Sequence, residues 1–126
     1  ETNSEISVVN DHFGSPTSAE FIAEFLYELI QLESIESKKG LYHICAQGET
    51  TWYELADFIL KTFIKIRGVP EKALLPIFPI ASSTLKTSAK RPRNSRLCCN
   101  SLKKTFPFKH THWKTQITEI VKVLLK

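Results

Sequence analysis

The chain has 126 residues, of which 42% are hydrophobic and 24% are charged, and its formal net charge is +4. This composition excludes a disordered chain and predicts a single domain over residues 1–126 with a core of its own. No apolar run reaches membrane-spanning length and the N-terminal residues do not form a signal peptide, so no membrane partner is expected. The sequence contains no methionine, which predicts a piece of a longer protein.

Charge is distributed unevenly along the chain. Residues 1–71 contain 12 acidic and 5 basic residues, whereas residues 72–126 contain 12 basic residues and one acidic residue, Glu119. The two parts therefore carry net charges of −7 and +11. This asymmetry predicts an acidic partner for the second part, which is nucleic acid, a nucleotide or an acidic face of the same molecule.

The first predicted unit consists of a strand, a loop and a helix. Ile6-Ser7-Val8-Val9 predicts a short strand, and the turn-forming residues 10–16 follow it. Thr17 and Glu20 have the spacing of a capping box, which predicts a helix from there to about Leu32. Its apolar face has two stripes at four-residue spacing, Phe21, Phe25 and Leu29 beside Ile22, Leu26 and Ile30.

The second predicted unit repeats this order. Residues 41–46 predict a buried strand, and Thr51 and Glu54 form a second capping box that begins a helix to about Ile66. Gly68 is placed to end that helix. The residues predicted to face the core are Trp52, Leu55, Ala56, Ile59 and Phe63. Strand and helix in alternation indicate an α/β fold.

The remainder predicts a helical tail. Residues 74–80 are apolar but contain two prolines, so any strand there lies at a sheet edge. A Ser/Thr-rich linker over residues 81–89 leads to a basic loop, and residues 98–105 predict a short helix. A terminal helix over residues 113–125 places five apolar residues inward, Trp113, Ile117, Ile120, Val121 and Leu124.

The basic loop is the most distinctive stretch of the chain. Four cations lie between Lys90 and Arg96, Pro92 interrupts any helix, and Asn94 and Ser95 add short polar side chains. A rigid loop rich in hydrogen-bond donors is suited to a phosphate or a pyrophosphate. On charge alone, a solvated surface turn is the alternative.

No catalytic set is evident elsewhere. Three cysteines, Cys45 and the adjacent Cys98 and Cys99, are a poor disulfide framework and are typical of the reducing cytoplasm, where we expect the protein. The spacing of the adjacent cysteines from His110 and His112 does not match a zinc site. Cys45 lies in an apolar segment, which favours an inert buried thiol over a nucleophile paired with His43.

Four motifs, in this order, resemble one family. They are Val8-Val9-Asn10-Asp11-His12-Phe13-Gly14-Ser15-Pro16-Thr17, Gly40-Leu41-Tyr42-His43-Ile44, Gly48-Glu49-Thr50-Thr51-Trp52 and Arg91-Pro92-x-Asn94-Ser95-x-Leu97. Together they are similar to the dTDP-4-dehydrorhamnose reductases, which are extended short-chain dehydrogenase/reductases. The resemblance implies the C-terminal substrate-binding portion of such an enzyme, an α/β structure of two strand-loop-helix units followed by a helical tail.

The resemblance also implies what lies outside the chain. In the family, an N-terminal Rossmann domain binds NADPH or NADH and carries a catalytic tyrosine and lysine. Hydride then passes to the C4 ketone of a dTDP-linked sugar, giving dTDP-L-rhamnose. Neither the glycine fingerprint nor the Tyr-x-x-x-Lys pair is present here, so we expect no catalytic residue, metal or bound cofactor in this chain, and no activity from it alone.

Two loops carry the implied substrate contacts. The first matches the family's D-Q-x-G-x-P-T pattern, with His12 in place of the glutamine, and the second matches its R-P-x-N-S-x-L pattern. The predicted substrate-binding residues are Arg91, Arg93, Asn94, Ser95, Gly14, Pro16 and Thr17, with the two arginines on the nucleotide diphosphate. Residues 14–17 have an alternative to substrate binding, which is a purely structural role as a turn and a helix cap. Cys98 replaces the family's aspartate, so Asn94 or Ser95 is the predicted cap of the next helix.

Two other functions compete with the substrate-binding domain. One is a non-catalytic regulatory homologue like the β subunit of methionine adenosyltransferase, which has a similar Arg-Pro-Arg-Asn run. The other is a basic nucleic-acid-binding module, which is less favoured because Phe106, Phe108 and Trp113 have apolar neighbours typical of a core. Helix faces that would pack on the missing domain also predict a homodimer.

Overall fold

The computed structural model describes residues 5–85 and 89–126. The predicted linker over residues 81–89 therefore falls partly outside the described residues. The strands are β1 (Ile6–Val9), β2 (Phe13–Gly14), β3 (Thr50–Thr51) and β4 (Ile77–Ile80). The helices are α1 (Ala19–Ile30), α2 (Trp52–Arg67), α3 (Asn100–Thr105) and α4 (Trp113–Leu124), with 3₁₀ turns at Ile35–Lys38, Glu71–Ala73 and Ser82–Thr84. The α/β class is confirmed.

The described strands form two pairs. β1 lies parallel to β4, with Ile6 opposite Ile77 and Val9 opposite Ile80. β2 lies antiparallel to β3, with Phe13 opposite Thr51. The strand predicted over residues 74–80, which contains prolines, is therefore present as β4. Within the described residues it pairs on one side only, with β1. This edge position suits Pro79, which has no backbone N–H to donate to a second neighbour.

Helix α1 begins one residue later than the sequence predicts. Ser18, not Thr17, is the N-cap, because its side chain accepts a hydrogen bond from the Phe21 backbone N–H. Of the two predicted apolar stripes, the one with Phe21 and Phe25 is buried. The other is partly open, and Ile30 at its end is 69% exposed.

Helix α2 begins and ends as predicted, but two of the five residues predicted to face the core, Trp52 and Ile59, are exposed. The capping box of Thr51 and Glu54 is complete, and Gly68 ends the helix with a φ of 67°, in the left-handed region that favours glycine. Trp52 is 60% exposed instead of buried. This indole lines a cavity described below.

The predicted strand over residues 41–46 is also wrong, because this segment has no ladder partner in the described part of the chain. Leu41 is 85% exposed, whereas Cys45 and Ala46 are buried. Backbone pairing begins only at Gln47, which donates to Thr111 and accepts from Trp113. The segment is held in part by the Ala46 N–H, which donates to the Thr17 hydroxyl, and by the Tyr42 hydroxyl, which donates to the Lys38 carbonyl.

The aromatic core cluster lies between α1 and the helical tail. It consists of Phe25, Leu102 and Phe106, with Leu29, Leu32, Tyr42, Ile44 and Phe108 packed against it. The rings of Phe25 and Phe106 meet edge to face with centroids 6.0 Å apart, a favourable aromatic geometry. This cluster joins the acidic first part of the chain to its basic second part.

Two predictions about the helical tail need correction. Helix α3 has Cys99 at its N-cap position and no side-chain cap, so neither Asn94 nor Ser95 caps it. In α4, Trp113 and Val121 are buried as predicted, but Leu124, in the last turn, is 77% exposed. No helix in the described ranges has the length and apolar character that a membrane span requires.

Candidate functional site

The two loops singled out in the sequence lie side by side. We call residues 10–17 and 90–97 the paired loops. The Phe13 backbone N–H donates to the Arg93 carbonyl at 2.8 Å, and the Ser95 N–H donates to the Phe13 carbonyl at 2.9 Å. The Ser95 hydroxyl donates to the same carbonyl at 3.0 Å. Loops that are about 80 residues apart in sequence thus form one backbone unit.

Gly14 permits this close pairing. A Cβ atom at position 14 would lie 3.0 Å from the Ser95 Oγ, closer than such atoms normally approach. The other edge of β2 pairs with β3, so the first loop is held between β3 and the second loop. A side chain at position 14 would require the Ser95 hydroxyl to move by a few tenths of an ångström.

A polar network fixes the base of the first loop. The Thr51 hydroxyl donates to the Asn10 Oδ1 at 2.6 Å and accepts from the Glu54 N–H at 3.1 Å. The Glu54 carboxylate accepts in turn from the Thr51 N–H and the Thr50 hydroxyl. The capping box of α2 therefore also positions the loop.

Asp11 ties the loop to the turn after β4. Its carboxylate accepts hydrogen bonds from the Ser82 N–H and the Ser82 hydroxyl, both at 2.9 Å. Partial desolvation acts to raise the pKa of Asp11, but these two hydrogen bonds outweigh it. Together with the charges of His12 and Arg93 they hold the pKa below its ordinary value of 3.8, so the carboxylate is ionised at neutral pH.

A groove of about 950 Å³ opens beside the paired loops. We call it the cationic groove, because Lys90, Arg91 and Arg93 line one side of it. Its other lining residues come from β1, from the turn after β4 and from α2, and they include His12, Trp52, Ser82 and Ser83. In the described ranges none of the three cations forms a salt bridge. They are available to an anion.

The fourth cation of the loop has a structural role. Arg96 forms an ion pair with Glu49, and its Nε donates to the Asn94 Oδ1 at 2.8 Å. Its guanidinium also lies over the Phe13 ring, 5.7 Å from the centroid. Arg96 thus stabilises the conformation of the loop through these contacts, whereas Arg91 and Arg93 line the groove.

A smaller pocket of about 150 Å³ adjoins the groove. Gly14, Pro16 and Ser95 line it, as do Thr50 and Thr51. His12 and Trp52 line both cavities, so these two side chains stand where the cavities meet. The combined site offers cations on one side, an indole face in the middle and hydroxyl groups at the far end.

The predicted site residues fall into three groups. Arg91 and Arg93 line the cationic groove, and Gly14, Pro16 and Ser95 line the small pocket. Asn94 uses its side-chain oxygen to accept hydrogen bonds from Arg96. Thr17 donates to the Ser15 carbonyl and accepts from the Ala46 N–H, so its hydroxyl joins two backbone segments. Neither Asn94 nor Thr17 lines the two cavities.

The sequence alone did not reveal the central position of His12, Trp52 and Ser82. In the sequence His12 is only a departure from a family motif, and the helical spacing of Trp52 relative to apolar residues predicts a core position. The signal that could have found Trp52 is its position as the first residue of α2, next to a motif that already drew attention.

Other candidate chemistries find no support. The described residues contain no group of three or more His, Cys, Asp or Glu side chains placed to hold a metal. His43 is exposed and Cys45 is buried, so they do not form a nucleophile and base pair. Burial, together with the neighbouring Cys99, raises the pKa of Cys45 to about 11, which opposes a thiolate nucleophile.

The fold and the site define a ligand-binding domain of the α/β class, with one cationic groove built from loops. The sequence profile of the RmlD substrate-binding domain matches residues 1–126, and the chain belongs to that family.

Curated relatives and solved structures agree with this assignment. The chain is 30% identical to the dTDP-4-dehydrorhamnose reductase of Sinorhizobium fredii over 99% of its length, and 32% identical to that of Escherichia coli K12 over 95%. It spans about 40% of the length of these relatives. A crystal structure of a dTDP-4-dehydrorhamnose reductase from Clostridium acetobutylicum superimposes on 99% of the chain, with a TM-score of 0.79 and 26% identity. That match covers 40% of the solved chain.

Proposed function

We propose that this chain is the substrate-binding part of a dTDP-4-dehydrorhamnose reductase. In this proposal it holds a dTDP-linked 4-dehydro sugar while an NAD(P)H-binding region supplies the hydride that reduces the C4 ketone to give dTDP-L-rhamnose. The observation that carries the proposal is the convergence of Arg91, Arg93 and the Trp52 indole on one groove. The names of the relatives support it.

The arginines are the proposed diphosphate contacts. A guanidinium can donate two parallel hydrogen bonds to phosphate oxygens and stays charged at every physiological pH. Pro92 lies between the two arginines and limits the conformations of the loop that carries them. Such preorganisation lowers the entropic cost of binding a charged ligand.

The remaining parts of the site suit the rest of a sugar nucleotide. The exposed Trp52 face is large and flat, which suits contact with a pyrimidine or a sugar ring. The small pocket presents the hydroxyls of Ser95 and Thr50, which can exchange hydrogen bonds with sugar hydroxyls. We assign Gly14 and Pro16 to the wall of this pocket, and Asn94 and Thr17 to the support of the loops.

The chain's residues do not fit the dinucleotide cofactor. Its four glycines, Gly14, Gly40, Gly48 and Gly68, are far apart and form no phosphate-binding fingerprint. No Tyr-x-x-x-Lys pair is present. In the proposal NADPH or NADH binds to an N-terminal Rossmann region, and the chain alone binds substrate without turnover. A solved dTDP-4-dehydrorhamnose reductase from Bacillus anthracis is in complex with NADP, and its fold matches with a TM-score of 0.74.

Exposed apolar faces support packing against that further region or against a second copy. On α1 these are Leu26 and Ile30, and on α4 they are Val123 and Leu124. Apolar surface of this extent is usually covered in a functional assembly. We propose that the protein works in the cytoplasm, where reduced cysteines are the norm.

Calorimetric titration with dTDP tests the proposal. We expect Arg91→Ala and Arg93→Ala each to raise the Kd for dTDP by about tenfold or more, because each variant loses charge-assisted hydrogen bonds to phosphate. The matched control is Arg67→Ala, an exposed arginine at the opposite end of α2 from Trp52, about 22 Å away along the helix axis.

The outcomes separate the parts of the proposal. An unchanged Kd in both groove variants would overturn the diphosphate assignment and leave the sugar-nucleotide function standing. Failure of the wild-type chain to bind dTDP or dTDP-L-rhamnose would contradict the function itself. Salt-sensitive binding to arbitrary DNA would instead favour a nucleic-acid module.

A further inference from the structure

Two cysteines that are 54 residues apart in sequence meet in the fold. The Sγ atoms of Cys45 and Cys99 lie 3.3 Å apart and share a hydrogen bond. Cys45 belongs to the extended segment before Gln47, and Cys99 is the residue before α3. The cleft around these sulfurs shares no lining residue with the cationic groove, and the sequence gives no hint that the two cysteines meet.

From this geometry we propose that Cys45 and Cys99 form a reversible disulfide, with a low-molecular-weight disulfide such as glutathione disulfide as the oxidant. A disulfide bond has an S–S length of about 2.05 Å, so the sulfurs need to approach by only about 1.3 Å. Both cysteines lie in segments without regular structure on at least one side, so the loops can absorb this movement.

The oxidant has a route to the thiols. A cleft of about 530 Å³ is lined by Cys45, Cys98 and Cys99 together with Ser15, Arg96 and Lys103. Glu49, which pairs with Arg96, also lines the cleft, so among the described residues Lys103 is the cation left to attract an anionic disulfide such as glutathione disulfide. Cys98 is exposed at the same cleft, whereas Cys45 and Cys99 are buried.

The disulfide forms by two successive thiol–disulfide exchange steps. The Cys99 thiolate attacks one sulfur of the small disulfide, which forms a mixed disulfide and releases one thiolate. Cys45 then gives its proton to the small thiolate released in the first step and attacks the Cys99 sulfur. The Cys45–Cys99 bond forms as the S–S bond of the mixed disulfide breaks, and the second small thiolate leaves. One disulfide has been reduced and two protein thiols have been oxidised.

The order of the steps follows from the environment of Cys45. Burial contributes most to its raised pKa, and the hydrogen bond and charge of Cys99 contribute next. The Cys99 contributions disappear once that sulfur carries a mixed disulfide. Cys45 is therefore the resolving thiol.

Oxidation has a measurable consequence for the fold. The bond would close a loop of more than fifty residues and hold the start of α3 against the extended segment. Cross-links of this span restrict the unfolded chain, and we expect the Tm of the oxidised protein to rise by about 4 °C or more. Dithiothreitol should reverse the rise.

The test is incubation of the folded protein with glutathione disulfide, acid quenching, alkylation and peptide mapping by mass spectrometry. We expect the free thiols to fall from three to one and the linked peptides to contain Cys45 and Cys99. Cys98→Ser, the control, should retain the cross-link, whereas Cys45→Ser and Cys99→Ser should abolish it.

Other products would overturn the proposal. These are a Cys98–Cys99 disulfide, glutathione left on Cys98 alone, or a cross-link that disappears in Cys98→Ser. The wild-type peptide map decides the matter even if a serine variant fails to fold.

Discussion

The aromatic core cluster and the paired loops are held together by different forces. The cluster around Leu102 has few polar groups, and its stability comes from removing apolar surface from water. The paired loops bury little, and directional hydrogen bonds between Phe13, Arg93 and Ser95 set their geometry. The difference indicates that substitutions in the cluster change folding stability, whereas substitutions in the loops change ligand affinity.

The largest expected effect is in the cluster. Leu102 is 1% exposed and contacts Phe25 and Phe106 there. Leu102→Ala should lower the free energy of unfolding by about 2–5 kcal/mol, because it removes buried methyl groups and leaves a cavity. Urea denaturation measures this, with Leu75→Ala at a half-exposed position as the control. A loss equal to that of the control would show that the cluster is not the main source of stability.

A smaller effect is expected at the base of the loops. Thr51→Ala removes the N-cap of α2 and the hydrogen bond to Asn10, and should cost about 1–2 kcal/mol of stability. Thr51→Ser keeps the hydroxyl and is the matched control. We also expect Thr51→Ala to weaken dTDP binding, because Asn10 begins the loop that lines the site. Unchanged affinity in a destabilised variant would mean that the loop does not depend on this cap.

The smallest expected effect is the pH dependence of His110, which lies between the Phe21 and Phe108 rings. Neither ring nitrogen has a hydrogen bond of ordinary geometry. Burial and the charge of Lys103 lower its pKa below the ordinary value of 6.5, although the Cys45 backbone opposes this shift.

The sign follows from proton linkage. Above about pH 6.5 the ring is neutral in both the folded and unfolded states, so it adds no penalty. As the pH falls below that value the unfolded chain binds a proton more readily than the folded one, so stability decreases until the folded pKa is passed. Thermal melts between pH 7 and pH 5 should show a smaller decrease in His110→Phe than in wild type. The exposed His43→Asn is the control, and an equal decrease in His110→Phe would exclude this histidine as the cause.

Features that depend on adjacent residues, such as the ends of α2, were predicted correctly from the sequence. Features that depend on residues far away in the chain, such as strand pairing and side-chain burial, were not. The capping box at Thr51 and the glycine stop at Gly68 depend on a few adjacent residues, and both are present. Residues 41–46 have the composition of a strand, but a strand also needs a neighbouring backbone, and the described chain offers none before Gln47. Trp52 and Leu124 have the right helical spacing for a core, but in the described part of the chain their side chains remain 60% and 77% exposed.

The sequence by itself determined the α/β class, the helix boundaries to within a few residues and the family, because these follow from local propensity and from motifs in a fixed order. It also identified the two loops of the candidate site. Only the tertiary structure decided that Arg91 and Arg93 face a groove while Arg96 braces Glu49, and that Cys45 meets Cys99. Long-range contacts of this kind depend on how elements pack, and no short stretch of sequence encodes that packing.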